Sequence, residues 1–165
     1  MVRTINFIKP RLLLAAIGIV CVGLLAYAWM LQYGPERQQP CPLCVLQRYA
    51  YILVAISALI GSVYKHIAYA VMAALISVGG TGLALWQVMK GSEMQGCIAD
   101  PIGVFVNGLP TADLFPAYFF ANGGCADKYV TLGLPVPVWS LICFIALTVA
   151  CGIAIKRLRR RRLMH

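Results

Sequence analysis

The sequence predicts an all-α membrane protein, a four-transmembrane-helix bundle with a short amphipathic helix in the second of two outward loops. Three observations carry that expectation. The 165 residues are 61% apolar and only 12% charged, whereas soluble domains are roughly half apolar and about a quarter charged. Four runs are apolar over about 20 residues each, the length needed to cross roughly 30 Å of hydrocarbon. Lysines and arginines gather beside those ends of the runs that share one side of the bilayer, as orientation by positive charge requires.

The first span covers about 12–31. Arg3, Lys9 and Arg11 precede it, and Ala26-Tyr27-Ala28 offers a cleavage pattern. The apolar run nevertheless exceeds the roughly 7–15 residues of a signal-peptide core, and three further spans follow it. It reads as an uncleaved signal anchor. The second span covers about 45–64, with Arg48 near its start, and the third about 67–89. Only Lys65 and His66 separate these two, so they form a tight helical hairpin with His66 in the turn. The fourth span covers about 138–155. Residues 1–165 thus make one membrane domain, with outward loops at about 32–44 and 90–137. In the second loop, Thr111 to Ala121 carries Leu114, Phe115, Tyr118 and Phe119 at near-helical spacing. That spacing suits a short amphipathic helix on the bilayer surface, with Pro116 limiting its regularity.

Charge sets the orientation. Four spans put both termini on one side, which holds Arg3, Lys9, Arg11, Lys65 and the tail Lys156, Arg157, Arg159, Arg160, Arg161 and Arg162. The other side holds Arg37, Lys90 and Lys128, with Arg48 at its boundary, and all 5 acidic residues. The termini are therefore expected in the cytoplasm and the two long loops outside. The net charge of +9 does not indicate a nucleic-acid partner, because no basic face or aromatic reader accompanies the tail. A basic cluster next to a span fits anionic lipid.

This topology divides the 7 cysteines. Cys21, Cys143 and Cys151 fall inside spans one and four, where a small, weakly polar residue packs well. Cys41, Cys44, Cys97 and Cys125 fall in or beside the outward loops, a setting in which disulfides persist if the compartment is a bacterial periplasm. Cys41-Pro42-Leu43-Cys44 has the spacing of a dithiol that closes and reopens, often with a reactive thiolate. Cys44 lies near the N-terminus of span two, where free N–H groups and the helix dipole favour an anion. Arg48 follows one turn deeper on the same face. An arginine just inside a span either snorkels to the headgroups or stabilises a negative charge, here a Cys44 thiolate and a lipid-soluble electron acceptor such as a quinone. Cys97 and Cys125 enclose a loop rich in glycine and proline, and a static stabilising disulfide is the plain alternative for them. A zinc site built from all four cysteines is disfavoured, since the second pair lacks the close spacing of zinc ribbons.

The stretches Pro40-Cys41-Pro42-Leu43-Cys44-Val45-Leu46-Gln47-Arg48, Gly124-Cys125-Ala126-Asp127, Leu132-Gly133-Leu134 and Pro137-Val138-Trp139 resemble the disulfide bond formation protein B (DsbB) family of bacterial inner-membrane proteins, as does Trp86-Gln87 in span three. The resemblance runs over nearly the whole chain. It implies a membrane enzyme that reoxidises a periplasmic thiol oxidase of thioredoxin fold (DsbA-like) and passes the electrons to ubiquinone or menaquinone. It further implies that Cys97 takes the mixed disulfide with the partner, that Cys125 is its mate and exchanges with Cys41, and that Cys44 delivers electrons to the quinone beside Arg48. Many members carry a histidine where this chain has Leu83, so a histidine contact to the quinone is not carried over. Two other readings share part of the pattern: a quinone-linked thiol enzyme of the vitamin K epoxide reductase type, and a non-enzymatic membrane subunit with two static disulfides.

Overall fold

Two prolines begin the helices that frame the bundle. Pro10 opens α1 (Pro10–Tyr33) and Pro42 opens α2 (Pro42–Tyr64), where the missing N–H is no loss and the fixed φ already suits a helix. The chain continues through α3 (Ile67–Lys90), three short helices α4 (Pro101–Asn107), α5 (Pro110–Leu114) and α6 (Pro116–Phe119), a hairpin of β1 (Val130–Thr131) and β2 (Leu134–Pro135), and the long α7 (Val136–Leu163). The computed structural model describes residues 9–34, 39–64, 66–90, 101–124 and 130–163.

Helices α1, α2, α3 and α7 are each long and apolar enough to cross a membrane. Helix α1 packs on α2, α2 on α3 and α3 on α7, and a shorter contact between α7 and α1 closes the ring. The core holds Leu14, Ile17 and Cys21 from α1, Val54, Ala55 and Ala58 from α2, Ala70, Ala73 and Ala84 from α3, and Phe144, Leu147 and Cys151 from α7. Many of these are small, as expected where lipid offers no hydrophobic drive between helices and close backbone approach must supply the attraction. Gly80 shows the principle. A Cβ there would lie 2.3 Å from the ring of Phe144, so only glycine lets α3 and α7 close over that ring. The outer faces keep Ile19, Leu75 and Val149 exposed, ready for acyl chains.

The ends of the helices show why the turns are short. His66, expected in the turn between spans two and three, caps α3 by accepting the Ala68 N–H at its Nδ1 over 3.3 Å. The basic stretch after span four does not leave the helix: α7 runs on to Leu163. The amphipathic helix expected over Thr111–Ala121 is broken in two. Pro116 has no N–H to give and disfavours helical backbone in the residue before it, and Phe115 accordingly sits at φ −134°, ψ 64°. The four aromatic and leucine side chains then part company. Leu114 and Phe115 are exposed, while Tyr118 and Phe119 turn partly inward.

The hairpin was not anticipated. Its strands pair Val130 with Pro135 and Thr131 with Leu134, and the two turn residues, Leu132 and Gly133, have φ of 52° and 81°. Two positive φ values in a two-residue loop are the geometry that matches strand twist. Trp139 pins the hairpin to α7 by donating its indole N–H to the Thr131 carbonyl over 2.8 Å.

The Gly80 notch makes a graded prediction. Gly80→Ala should destabilise the bundle by about 1–3 kcal/mol through overpacking, read as a lower midpoint of thermal unfolding in detergent. Gly82→Ala, with nothing within 4 Å of the added Cβ, should change the midpoint little. Equal midpoints for the two variants would show that the notch is not tight.

Candidate functional site

The first cysteine pair is built into the start of α2. Cys41 is the residue before the helix, and its carbonyl accepts the first helical bond, from the Val45 N–H over 3.0 Å. Its Sγ accepts the Cys44 N–H over 3.2 Å. A sulfur thus fills the position where an N-cap serine or aspartate would place its oxygen. The two cysteines are free thiols in this structure. Cys41 is buried and Cys44 half-buried. Hydrogen bonding to Cys44, reinforced by burial, raises the Cys41 thiol above its ordinary pKa.

Helix α3 returns antiparallel to α2 and brings Gln87 to the same end. Its amide N–H₂ donates to both sulfurs, over 3.2 Å to Cys41 and 3.3 Å to Cys44. Gln47 in turn donates to the Gln87 carbonyl oxygen over 2.8 Å, which fixes the amide with its nitrogen toward the thiols. Both glutamines are buried. Donors aimed at a sulfur favour its anion. Leu83, one turn before Gln87, packs against the cluster formed by Cys41 and Leu43; at this position the chain offers the dithiol an apolar wall.

Arg48 does not snorkel. It is 8% exposed and turned into the protein, where Nη1 donates to Gln32 Oε1 over 3.0 Å and to the carbonyl of Tyr118. Its guanidinium carbon lies 4.4 Å from the centroid of the Tyr118 ring, an arrangement that steadies a cation through the ring face. Gln32 also donates to Ala117 O, the Tyr118 hydroxyl donates to Leu25 O over 3.0 Å, and Trp29 packs on the same ring. Burial raises the Tyr118 phenol above its ordinary pKa, with the Arg48 charge opposing the shift. Every partner of Arg48 among the described residues is neutral.

Cys44, Arg48 and Tyr51 from α2 open into one cavity of about 310 Å³, shared with Ala28 of α1, Gln87 of α3 and Ser140 of α7. Its walls are mostly apolar side chains, Leu24, Leu25, Leu31 and Trp139 among them. This is the size and balance of a small-molecule site, apolar with a few convergent polar groups.

The second loop is laced to the first. Asn107 donates to Ala121 O over 3.0 Å and accepts the Ala121 N–H over 2.8 Å. Two residues on, Gly123 donates its N–H to Pro40 O over 3.1 Å. A Cβ at Gly123 would meet Gln39 O at 2.3 Å, so only glycine allows this approach. The chain entering Cys125 therefore crosses the chain entering Cys41. Cys97 and Cys125 themselves lie outside the described residues. Among the described residues no cluster of histidine, cysteine or acidic side chains could hold a metal.

Residues 10–154 match the family model for the disulfide bond formation protein DsbB. This chain belongs to the DsbB family. The match takes in all four loop cysteines and Arg48. Disulfide bond formation protein B of Herminiimonas arsenicoxydans is 36% identical over 144 residues, 84% of this chain and 90% of that protein. The protein of the same name from Cupriavidus metallidurans is 36% identical over 88% of this chain and 91% of its own length, and that of Ralstonia nicotianae 34% identical over 93% and 98%. Family membership and four spanning-length helices make this a multi-pass membrane protein of disulfide formation, an oxidoreductase by family. The likeness to vitamin K epoxide reductases is set aside by the same match.

Sequence reasoning singled out Cys41, Cys44 and Arg48, which the structure gathers around one cavity. It missed the orienting roles of Gln87 and Gln47 and the pairing of Arg48 with Gln32 and Tyr118. A glutamine inside an apolar span was the available signal, since such a side chain needs a buried partner. Gln87→Leu removes the N–H donors from both sulfurs. Alkylation of the reduced Cys41–Cys44 pair at neutral pH should slow about tenfold, the worth of one hydrogen bond to an anion. An unchanged rate would mean that Gln87 does not support the reactive thiolate.

Proposed function

We propose that this chain is a membrane thiol:quinone oxidoreductase of the bacterial inner membrane. It reoxidises a DsbA-like periplasmic thiol oxidase and passes electrons through its two cysteine pairs to ubiquinone or menaquinone. The observation that carries the reading is the shared cavity: a helix-end dithiol and a buried arginine face the same apolar space. The charge distribution supports cytoplasmic termini and periplasmic cysteines.

The residues present fit a quinone. The cavity is walled mostly by apolar side chains, and its polar groups include the donors Arg48 and Gln87 beside Cys44 and Tyr51 deeper. When bound, a quinone supplies an acceptor for two electrons and two protons. The chain's own residues do the rest. A thiolate of the partner attacks the Cys97–Cys125 disulfide, and Cys97 takes the mixed disulfide. The released Cys125 thiolate is next to exchange with Cys41, a step supported by the crossing of the two chains at Gly123 and Pro40. The net result leaves the partner oxidised and Cys41 and Cys44 as thiols, the state of the pair described above. Their reoxidation to a disulfide releases two electrons and two protons, which matches what the acceptor takes up. Helix end, Gln87 and Arg48 together favour the anion at Cys44, which lines the cavity with Cys41.

Trapping of free thiols in membranes with a reduced dithiol partner tests the proposal. With quinone present, the four loop cysteines should be mostly oxidised; without it, thiols should accumulate. Two static disulfides would give the same labelling in both conditions and overturn the relay. Cys44→Ser should abolish partner oxidation by quinone. Arg48→Met should raise the KM for quinone by about ten- to a hundredfold, the range for a charge-assisted hydrogen bond.

A further inference from the structure

Tyr51 sits on the cavity face of α2, three residues beyond Arg48 and therefore about 4.5 Å deeper along the helix axis. Its ring is 7% exposed and stacks on Phe144 with centroids 4.2 Å apart and planes 11° from parallel. A phenylalanine would satisfy that packing equally well. The hydroxyl is the unexplained part, since a polar group at membrane depth is costly unless it is partnered. Its partner is Ser140 of α7, whose Oγ lies at 3.1 Å and whose carbonyl lies at 3.3 Å. Both are longer than the roughly 2.5–3.0 Å usual for O–H···O bonds. Tyr51 and Ser140 both line the cavity that Cys44 and Arg48 enter.

The serine can reverse the first bond. Its hydroxyl is donor and acceptor alike, so Ser140 Oγ–H can donate to the phenol oxygen and release the phenol proton toward the cavity. The two carbonyls of a para-quinone lie at opposite edges of its ring. With one edge beside Cys44 and Arg48, the other points along α2 toward the next turn. Resting on the quinone reading above, we propose that the Tyr51 hydroxyl, oriented by Ser140, donates a hydrogen bond to the quinone carbonyl that faces away from Cys44. Arg48 and Tyr51 then hold the ring at its two ends, and Phe144 backs the phenol that holds the deeper one. Tyr51 keeps its proton throughout: Cys41 supplies one of the two protons that reduction consumes, and the one given up when Cys44 ionised returns from solvent.

Tyr51→Phe keeps the stacked ring and removes only the donor. Binding of a short-chain ubiquinone analogue, followed by quenching of tryptophan fluorescence in detergent, should weaken about three- to tenfold. With the analogue labelled with carbon-13 at one carbonyl or the other, the infrared band of one carbonyl should rise in frequency and that of the other stay in place. Ser140→Ala should move the same band in the same direction. Wild-type affinity with both bands unmoved in Tyr51→Phe overturns the proposal and leaves the quinone reading intact. A wild-type protein that binds no analogue overturns both.

Discussion

A full positive charge buried at the outward end of the bundle organises this molecule. Removing a guanidinium from water costs several kcal/mol unless other groups replace the solvent. For Arg48 three groups from two separate elements do so: Gln32 at the end of α1, and the carbonyl and ring face of Tyr118 in α6. Satisfying one side chain therefore fixes where α1 ends, where the second loop crosses the bundle, and where the outer wall of the cavity stands. The described supports of Arg48 are neutral, and the side chain lines that cavity.

Helix α2 is the rail along which the site is laid out. Cys44, Arg48 and Tyr51 follow one another on one face, with Gln47 beside them reaching across to α3. The rail works because its neighbours come close. Gly80 admits the ring of Phe144 between α3 and α7, and that ring supports Tyr51. Packing deep in the membrane thus reaches the site through two contacts in series, Gly80 with Phe144 and Phe144 with Tyr51. The dithiol depends on the antiparallel return of α3, which delivers Gln87 to both sulfurs from a position 46 and 43 residues away in the chain.

The four-helix architecture was legible in the sequence because lipid leaves a chain few options: each span must satisfy its own backbone, and the residues that do so are apolar over its whole length. Cys41, Cys44 and Arg48 were legible because their spacing is local to one helix. What the sequence did not reveal depends on contacts between distant segments. Nothing near Tyr118 announces that its carbonyl meets an arginine 70 residues earlier, and nothing near Gly123 announces Pro40. The hairpin was missed for another reason: strands of two residues carry no alternation to read, and Leu132 is an unusual choice for a turn that needs positive φ. The break at Pro116 was anticipated as irregularity. Its consequence, that Tyr118 and Phe119 turn toward the bundle while Leu114 and Phe115 do not, required the fold.

The sulfur of Cys41 is also a piece of helix architecture. It closes the N-terminus of α2 by accepting the Cys44 N–H, a role that in oxygen-capped helices is worth about 1 kcal/mol. Displaced from that amide, it leaves the first turn of α2 without its stopper. Any movement that carries this sulfur away therefore loosens the very turn on which the second cysteine sits, so that the placement of Cys41 and the order of the helix end are a single variable.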